Sequence, residues 1–171
     1  MNAHAETDWG DAETDAVEEA SHATILTFGL GGQLYAAGIR WVREVVDLCD
    51  IAPLPDAPHD MLGMIDLREE PIAVIDLAAR LRSAADPGGE ARIVILECGA
   101  GSETIPVGFI ADRVLGVREF EVSRLEPVPR SPTGWTSEAA SGMVRTVDGT
   151  ALLLDLDRLL TDGGAGSFDF G

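Results

Sequence analysis

The sequence predicts a mainly β protein made of two related halves. Three observations lead there. Between residues 23 and 160 the apolar runs are short, rich in Val, Ile and Leu, and separated by Gly, Pro and Asp clusters, which is the pattern of many strands. An ungapped internal repeat, residues 63–77 against 142–156, spaces Gly-Met, a strand, a turn, an apolar strand, Asp-Leu and a helix equally in both copies. With 46% hydrophobic and 25% charged residues among 171, the chain is long enough to bury one core, or two small subdomains that share one.

Strands are expected at Ala23–Leu30, Gln33–Ile39, Val42–Leu48, Met61–Leu67, Ile72–Ile75, Ala91–Cys98, Ile105–Ile110, Gly116–Val122, Gly142–Thr146 and Thr150–Leu154. Gly29-Leu30-Gly31-Gly32 reads as a hairpin turn, because no glycine fingerprint or helix follows it. Asp76–Arg82 and Asp155–Leu160 read as short helices, each with an Asp whose carboxylate suits the orphan N–H groups of a first turn. Pro53, Pro55 and Pro58 mark one surface loop, and Pro127, Pro129 and Pro132 another. The repeat places its turns at Glu69–Glu70 and at Asp148–Gly149, the latter a strong hairpin pair because Gly takes positive φ at little cost. Gly63 and Gly142 are assigned to the backbone, since a glycine at the start of a strand signals a bend or a close chain approach.

The ends differ from the middle. Residues 1–22 carry Glu6, Asp8, Asp11, Glu13, Asp15, Glu18 and Glu19 with no Lys or Arg, a self-repelling tail expected to be disordered. Residues 162–171 read as a flexible Gly-rich tail, and Trp9, Phe168 and Phe170 as loose ends rather than docking motifs.

The formal charge of −18 disfavours phosphate backbones and anionic lipid as partners. All twelve basic residues are Arg, a bias that fits codon usage better than adaptation to high salt. Cys49 and Cys98 have no CxxC and no nearby His, so they read as small core residues of a reducing compartment, not as zinc ligands. With no signal-peptide pattern and no apolar stretch long enough to span a bilayer, the expected location is the cytoplasm, without membrane insertion.

No catalytic residue, metal site or cofactor is predicted. His4 and His22 fall in the tail and His59 in the proline loop; there is no nucleophile elbow, phosphate loop, zinc-protease motif or EF-hand spacing. Asp66, Asp76, Asp112 and Asp155 offer carboxylates for acid–base work, but Asp76 and Asp155 are repeat mates, which argues that each caps its own helix, and Asp112 reads as a turn residue. A small acidic hydrolase stays a distant alternative.

Over Thr24–Leu160 the chain resembles the CheW family. The resemblance rests on Phe28, Tyr35 and Ile39 followed by Val42-Arg43-Glu44-Val45; on Gly63-Met64-Ile65-Asp66-Leu67-Arg68 ending in Val74-Ile75-Asp76-Leu77; on Val107-Gly108-Phe109 with Asp112, Val114 and Val117; and on Gly142 with Leu152–Leu160. It implies a CheW-like domain over residues 23–161, with two intertwined five-stranded SH3-like β-barrels packed on a shared apolar core. It implies an adaptor without catalytic activity that binds the cytoplasmic tip of chemoreceptors and the regulatory domain of the histidine kinase CheA. A CheW-like adaptor of a non-flagellar array, such as one for surface motility, is the alternative within the family; genomic neighbours separate the two. The family's Asn-Leu-Arg-Gly is Asp66-Leu67-Arg68-Glu69 here, and its downstream proline is Ala73 with Pro71 nearby, so this hairpin turn is expected to be built differently.

On a strand, Ile65 and Leu67 point one way while Asp66 and Arg68 point the other. By resemblance, Arg68 belongs to a receptor-binding groove with Val42 and Glu44. A Glu44–Arg68 ion pair would fix the planar guanidinium for a receptor group, and Val42 would add apolar contact. Leu67, Ile93 and Val94 are carried over as groove or rim residues. If the acidic tail has no packing role, deleting residues 1–22 leaves the melting temperature within error, whereas a fall of several degrees would show that it packs.

Overall fold

The computed structural model describes residues 21–81, 88–100, 103–129 and 140–161. The expected tail up to residue 20 and the segment from 162, with Trp9, Phe168 and Phe170, lie outside the described residues, as do Arg82 and Pro132. Ten strands form among those described, each where the sequence places one and with ends within three residues of expectation: β1 His22–Leu30, β2 Gln33–Gly38, β3 Val42–Asp47, β4 Met61–Leu67, β5 Glu70–Ile75, β6 Arg92–Ala100, β7 Glu103–Ala111, β8 Arg113–Glu121, β9 Ala140–Thr146 and β10 Gly149–Leu154. Two short helices, α1 Leu77–Arg80 and α2 Leu156–Thr161, follow β5 and β10. Asp76 Oδ1 accepts the Ala79 N–H (3.1 Å) and Asp155 Oδ1 the Arg158 N–H (3.2 Å), so both carboxylates cap a first turn.

The strands make two five-stranded sheets, β8-β1-β2-β10-β9 and β3-β6-β7-β5-β4. The N-terminal hairpin joins the last three strands, while the five middle strands form the other sheet. Closed barrels are not what the hydrogen bonds make, which corrects the expectation drawn from the resemblance. The ladders are open, and the chain beyond one end strand is stitched to the opposite end strand by a single bridge. Past β3, Ala52 exchanges both backbone hydrogen bonds with Met64 of β4 (2.8 and 2.8 Å); past β8, Glu126 does the same with Met143 of β9 (2.9 and 2.7 Å). The residues that follow are Pro53 and Pro127, which lack the N–H needed to lengthen the bridge into a strand.

The internal repeat extends to the irregularities. Register slips past Leu62 in β4 and past its repeat mate Ser141 in β9, and likewise past Arg43 in β3 and Leu115 in β8. Each slip is a one-residue bulge that bends the strand around its core. Gly63 and Gly142 sit where the bridges cross. A Cβ on Gly63 would stand 2.3 Å from the Ala52 carbonyl oxygen at a φ of 152°, and one on Gly142 would stand 2.8 Å from the Glu126 carbonyl oxygen. Only glycine lets the crossing chain come that close.

Both hairpin turns lie one residue earlier than the sequence suggests. Leu67 pairs with Glu70 around Arg68–Glu69, and Thr146 pairs with Gly149 around Val147–Asp148. Gly149 does take positive φ (130°), but as the first residue of β10. In the first turn, where the family pattern has glycine and this chain has Glu69, Arg68 (φ 51°) and Glu69 (φ 68°) both adopt the left-handed conformation that suits a two-residue hairpin of this twist.

Each sheet encloses a small apolar cluster, Ile65, Ile72, Val74, Ile93 and Ile95 in one and Ile25, Ala36, Val144 and Ala151 in the other. A larger cluster joins the sheets, drawing Leu26, Phe28 and Tyr35 from one, Val94, Leu96 and Phe109 from the other, and Leu77 and Leu156 from the helices. Cys49 is exposed, against expectation, because it follows β3 into the proline loop. Cys98 is half-buried against the shared cluster; burial pushes its thiol up to about 11, with the Arg80 guanidinium pulling it partly back. The expected cost of Gly63→Ala is about 2 kcal/mol or more in a urea titration, through the bridge and the left-handed φ. Gly88→Ala, where a Cβ meets nothing within 4 Å, should shift stability by no more than about 0.5 kcal/mol.

Candidate partner-binding hairpin

The β4–β5 hairpin projects Arg68 at its tip, 66% exposed, and the Arg68 Nη2 group donates to Glu44 Oε2 on β3. Glu44 is the more sheltered partner, at 24% exposure. The pair crosses the mouth of its sheet, because Glu44 stands opposite Ile95, whose side chain belongs to the enclosed cluster. One nitrogen is spoken for, and the rest of the guanidinium fork stays open to a partner. As a surface ion pair it is worth only about 0–1 kcal/mol, so its consequence is orientation.

A second arginine, which the sequence reading left unassigned, supports the first. Arg43 contacts Glu70 at 2.9 Å and Glu97 at 3.7 Å, tying β3 to β5 and β6 beside the tip. Its signal is not readable in the Val-Arg-Glu-Val run, because Glu70 and Glu97 lie far along the chain and Arg43 stands at the register shift of β3.

The same bulge separates two residues that the sequence grouped. Val42 stands opposite Leu96 and Glu44 opposite Ile95, strand neighbours that face opposite sides. Val42 is therefore half-buried against the shared cluster, not beside the Arg68 guanidinium. Ile65 and Leu67 share one side, and that side is inward: Ile65 is buried, and Leu67, expected at the groove or rim, is half-buried against the enclosed cluster. Asp66 is exposed, on the side opposite to theirs.

Ile93 and Val94 are corrected outright. Both have no exposed surface, Ile93 within the enclosed cluster and Val94 in the shared one, so neither can line a groove. Their run, Ile93–Leu96, is the signature of a strand buried on both faces.

The other hairpin offers a contrast. Val147, repeat mate of Arg68, is 89% exposed and carries no charge, and the pair beside it runs the other way, from Arg118 on β8 to Asp148 (3.2 Å). The open seam between β8 and β9 leaves a cleft of about 710 Å³ with Phe120, Leu125 and Val144 at its floor and Arg124, Glu126 and Arg145 at its rim. Apolar side chains also show along the sheet ends: Val45, Leu48 and Leu62 on one sheet, Val117 and Val122 on the other. Among the described residues no helix is long and apolar enough to cross a membrane.

The CheW-like domain family model matches residues 24–163. The chain is 32% identical over 142 residues to chemotaxis protein CheW of Treponema pallidum, spanning 80% of this chain and 81% of that one. It is 28% identical over 148 residues to the CheW of Thermotoga maritima, spanning 86% and 92%. The crystal structure of the scaffolding protein TtCheW from Thermoanaerobacter tengcongensis matches with a TM-score of 0.70 at 29% identity, covering 81% of this chain and 87% of that one. A domain matched over most of the sequence, a relative above 30% identity and a common two-sheet scaffold meet in one conclusion: the chain belongs to the CheW-like domain family.

Proposed function

We propose that this chain is a non-catalytic chemotaxis adaptor of the cytoplasm that couples the cytoplasmic tip of a chemoreceptor to the regulatory domain of the histidine kinase CheA. The observation that carries the receptor side is the Arg68 guanidinium, held by Glu44 at the rim of the β4–β5 hairpin with most of its donors outward. Leu67 lends apolar footing from within, and Val42 keeps its place by supporting β3 from the shared core. The exposed Val, Leu and Ile side chains along the sheet ends supply patches of the modest size that suits reversible assembly with the kinase. The mechanism is geometric. An adaptor that holds receptor and kinase together raises their effective concentration, and a shift of the receptor tip reaches the kinase as a change in populations.

Arg68→Glu places two carboxylates against each other at the tip and should weaken binding of the receptor's cytoplasmic tip about tenfold or more while leaving the melting temperature unchanged. Calorimetric titration with the tip fragment decides this; an affinity equal to that of the parent would remove Arg68 from the interface. Glu69→Gly relieves the left-handed strain in the same turn. It should raise the urea midpoint, by about 1 kcal/mol in stability, with receptor affinity retained. A lowered midpoint would mean that the Glu69 side chain contributes more than its backbone costs.

A further inference from the structure

Arg80, at the end of α1, is a charged side chain inside the seam between the sheets. Only 7% of it is exposed. Its Nη2 meets Asp60 Oδ2 at 2.7 Å and its Nε donates to the same oxygen at 3.0 Å, while Nη1 donates to the Leu159 carbonyl oxygen of α2 at 2.7 Å. Asp60 is held in turn, because its carbonyl accepts the Asp76 N–H at 2.7 Å. A single guanidinium thus spans the loop before β4 and the last turn of α2, the helix of the other half.

The two helices are repeat mates. Leu77 matches Leu156 and Leu81 matches Leu160, and all four lie in the shared cluster. Two like apolar faces in contact have little to choose between neighbouring registers, since apolar attraction is non-directional. Between these leucines the likeness fails: Ala78, Ala79 and Arg80 have Asp157, Arg158 and Leu159 as repeat mates, and Arg80 takes the carbonyl of its own mate, Leu159. A buried polar contact in an apolar seam is the device that fixes register in coiled coils at a cost in stability.

We propose that Arg80 is the pin that sets how the two sheets sit on one another. A partner that touches both sheets reads their relative placement, so Arg80 is a positioning residue for such a partner without touching it. The inference holds whatever that partner is.

The test measures placement, not affinity. Spin labels at Asp66→Cys and Val147→Cys, one on each sheet, in a chain carrying Cys49→Ser and Cys98→Ala, report the inter-sheet distance by pulsed dipolar spectroscopy. The parent should give one narrow distance distribution. Arg80→Lys keeps a positive charge for Asp60 but lacks the fork that reaches both partners, and should give a shifted or second distance in a chain that is still folded by circular dichroism. Asp60→Asn combined with Arg80→Met, which removes the charges together, should do the same. Parental distributions in both folded variants would overturn the proposal. So would failure of both to fold, because a pin misplaces the sheets without dissolving them.

Discussion

The structure depends on strands that are buried on both faces. In β6, Ile93 and Ile95 fill the cluster enclosed by their own sheet while Val94 and Leu96 face the other sheet, and β1 divides Ile25 from Leu26 in the same way. Each such apolar side chain contributes about 1.5–3 kcal/mol when fully buried, and the one buried polar side chain of β1, Thr27, donates its hydroxyl to the Gly116 carbonyl oxygen. The constraint explains why the bulges recur at matching places in the two sheets. A strand that must serve two cores has to bend at a set point, and one extra residue supplies the bend. It also leaves charged side chains to the rims and turns, where β3 and the β4–β5 tip leave the sandwich.

Much of the scaffold is legible because burial on two faces writes short, unbroken apolar runs and because the chain repeats itself. Gly63 and Gly142 could be assigned to the backbone from their position alone, and the bridges to Ala52 and Glu126 give that assignment its cause. Asp76 and Asp155 were readable as caps since a cap is a local device. The turns lie one residue earlier than the Asp-Gly pair suggests, because Gly149 uses its positive φ as the first residue of β10 and not inside the turn. The twist of the flanking strands demanded left-handed residues whatever their identity, so Arg68 and Glu69 supply them under strain.

The site is less legible, for two reasons, one local and one long-range. Ile93 and Val94 were read as rim residues although their run already carried the pattern of an interior strand. Val42 and Glu44 looked like neighbours on one face because alternation holds only where the ladder is regular, and the bulge at Arg43 is a pairing event that no window of sequence contains. Arg80 was passed over for the same reason. Its partners Asp60 and Leu159 are 20 and 79 residues away, and their meeting exists only once the sheets are joined.

The likeness of the two hairpin tips ends at their backbones. One offers a fixed positive charge and the other a bare valine, so a molecule built from two halves of like backbone has two chemically unlike poles. Internal duplication by itself would let a neighbour dock either way round. With Arg68 at one pole and Val147 at the other, a neighbour docking on a tip would meet a cation one way round and a hydrocarbon the other, so the two orientations are not equivalent.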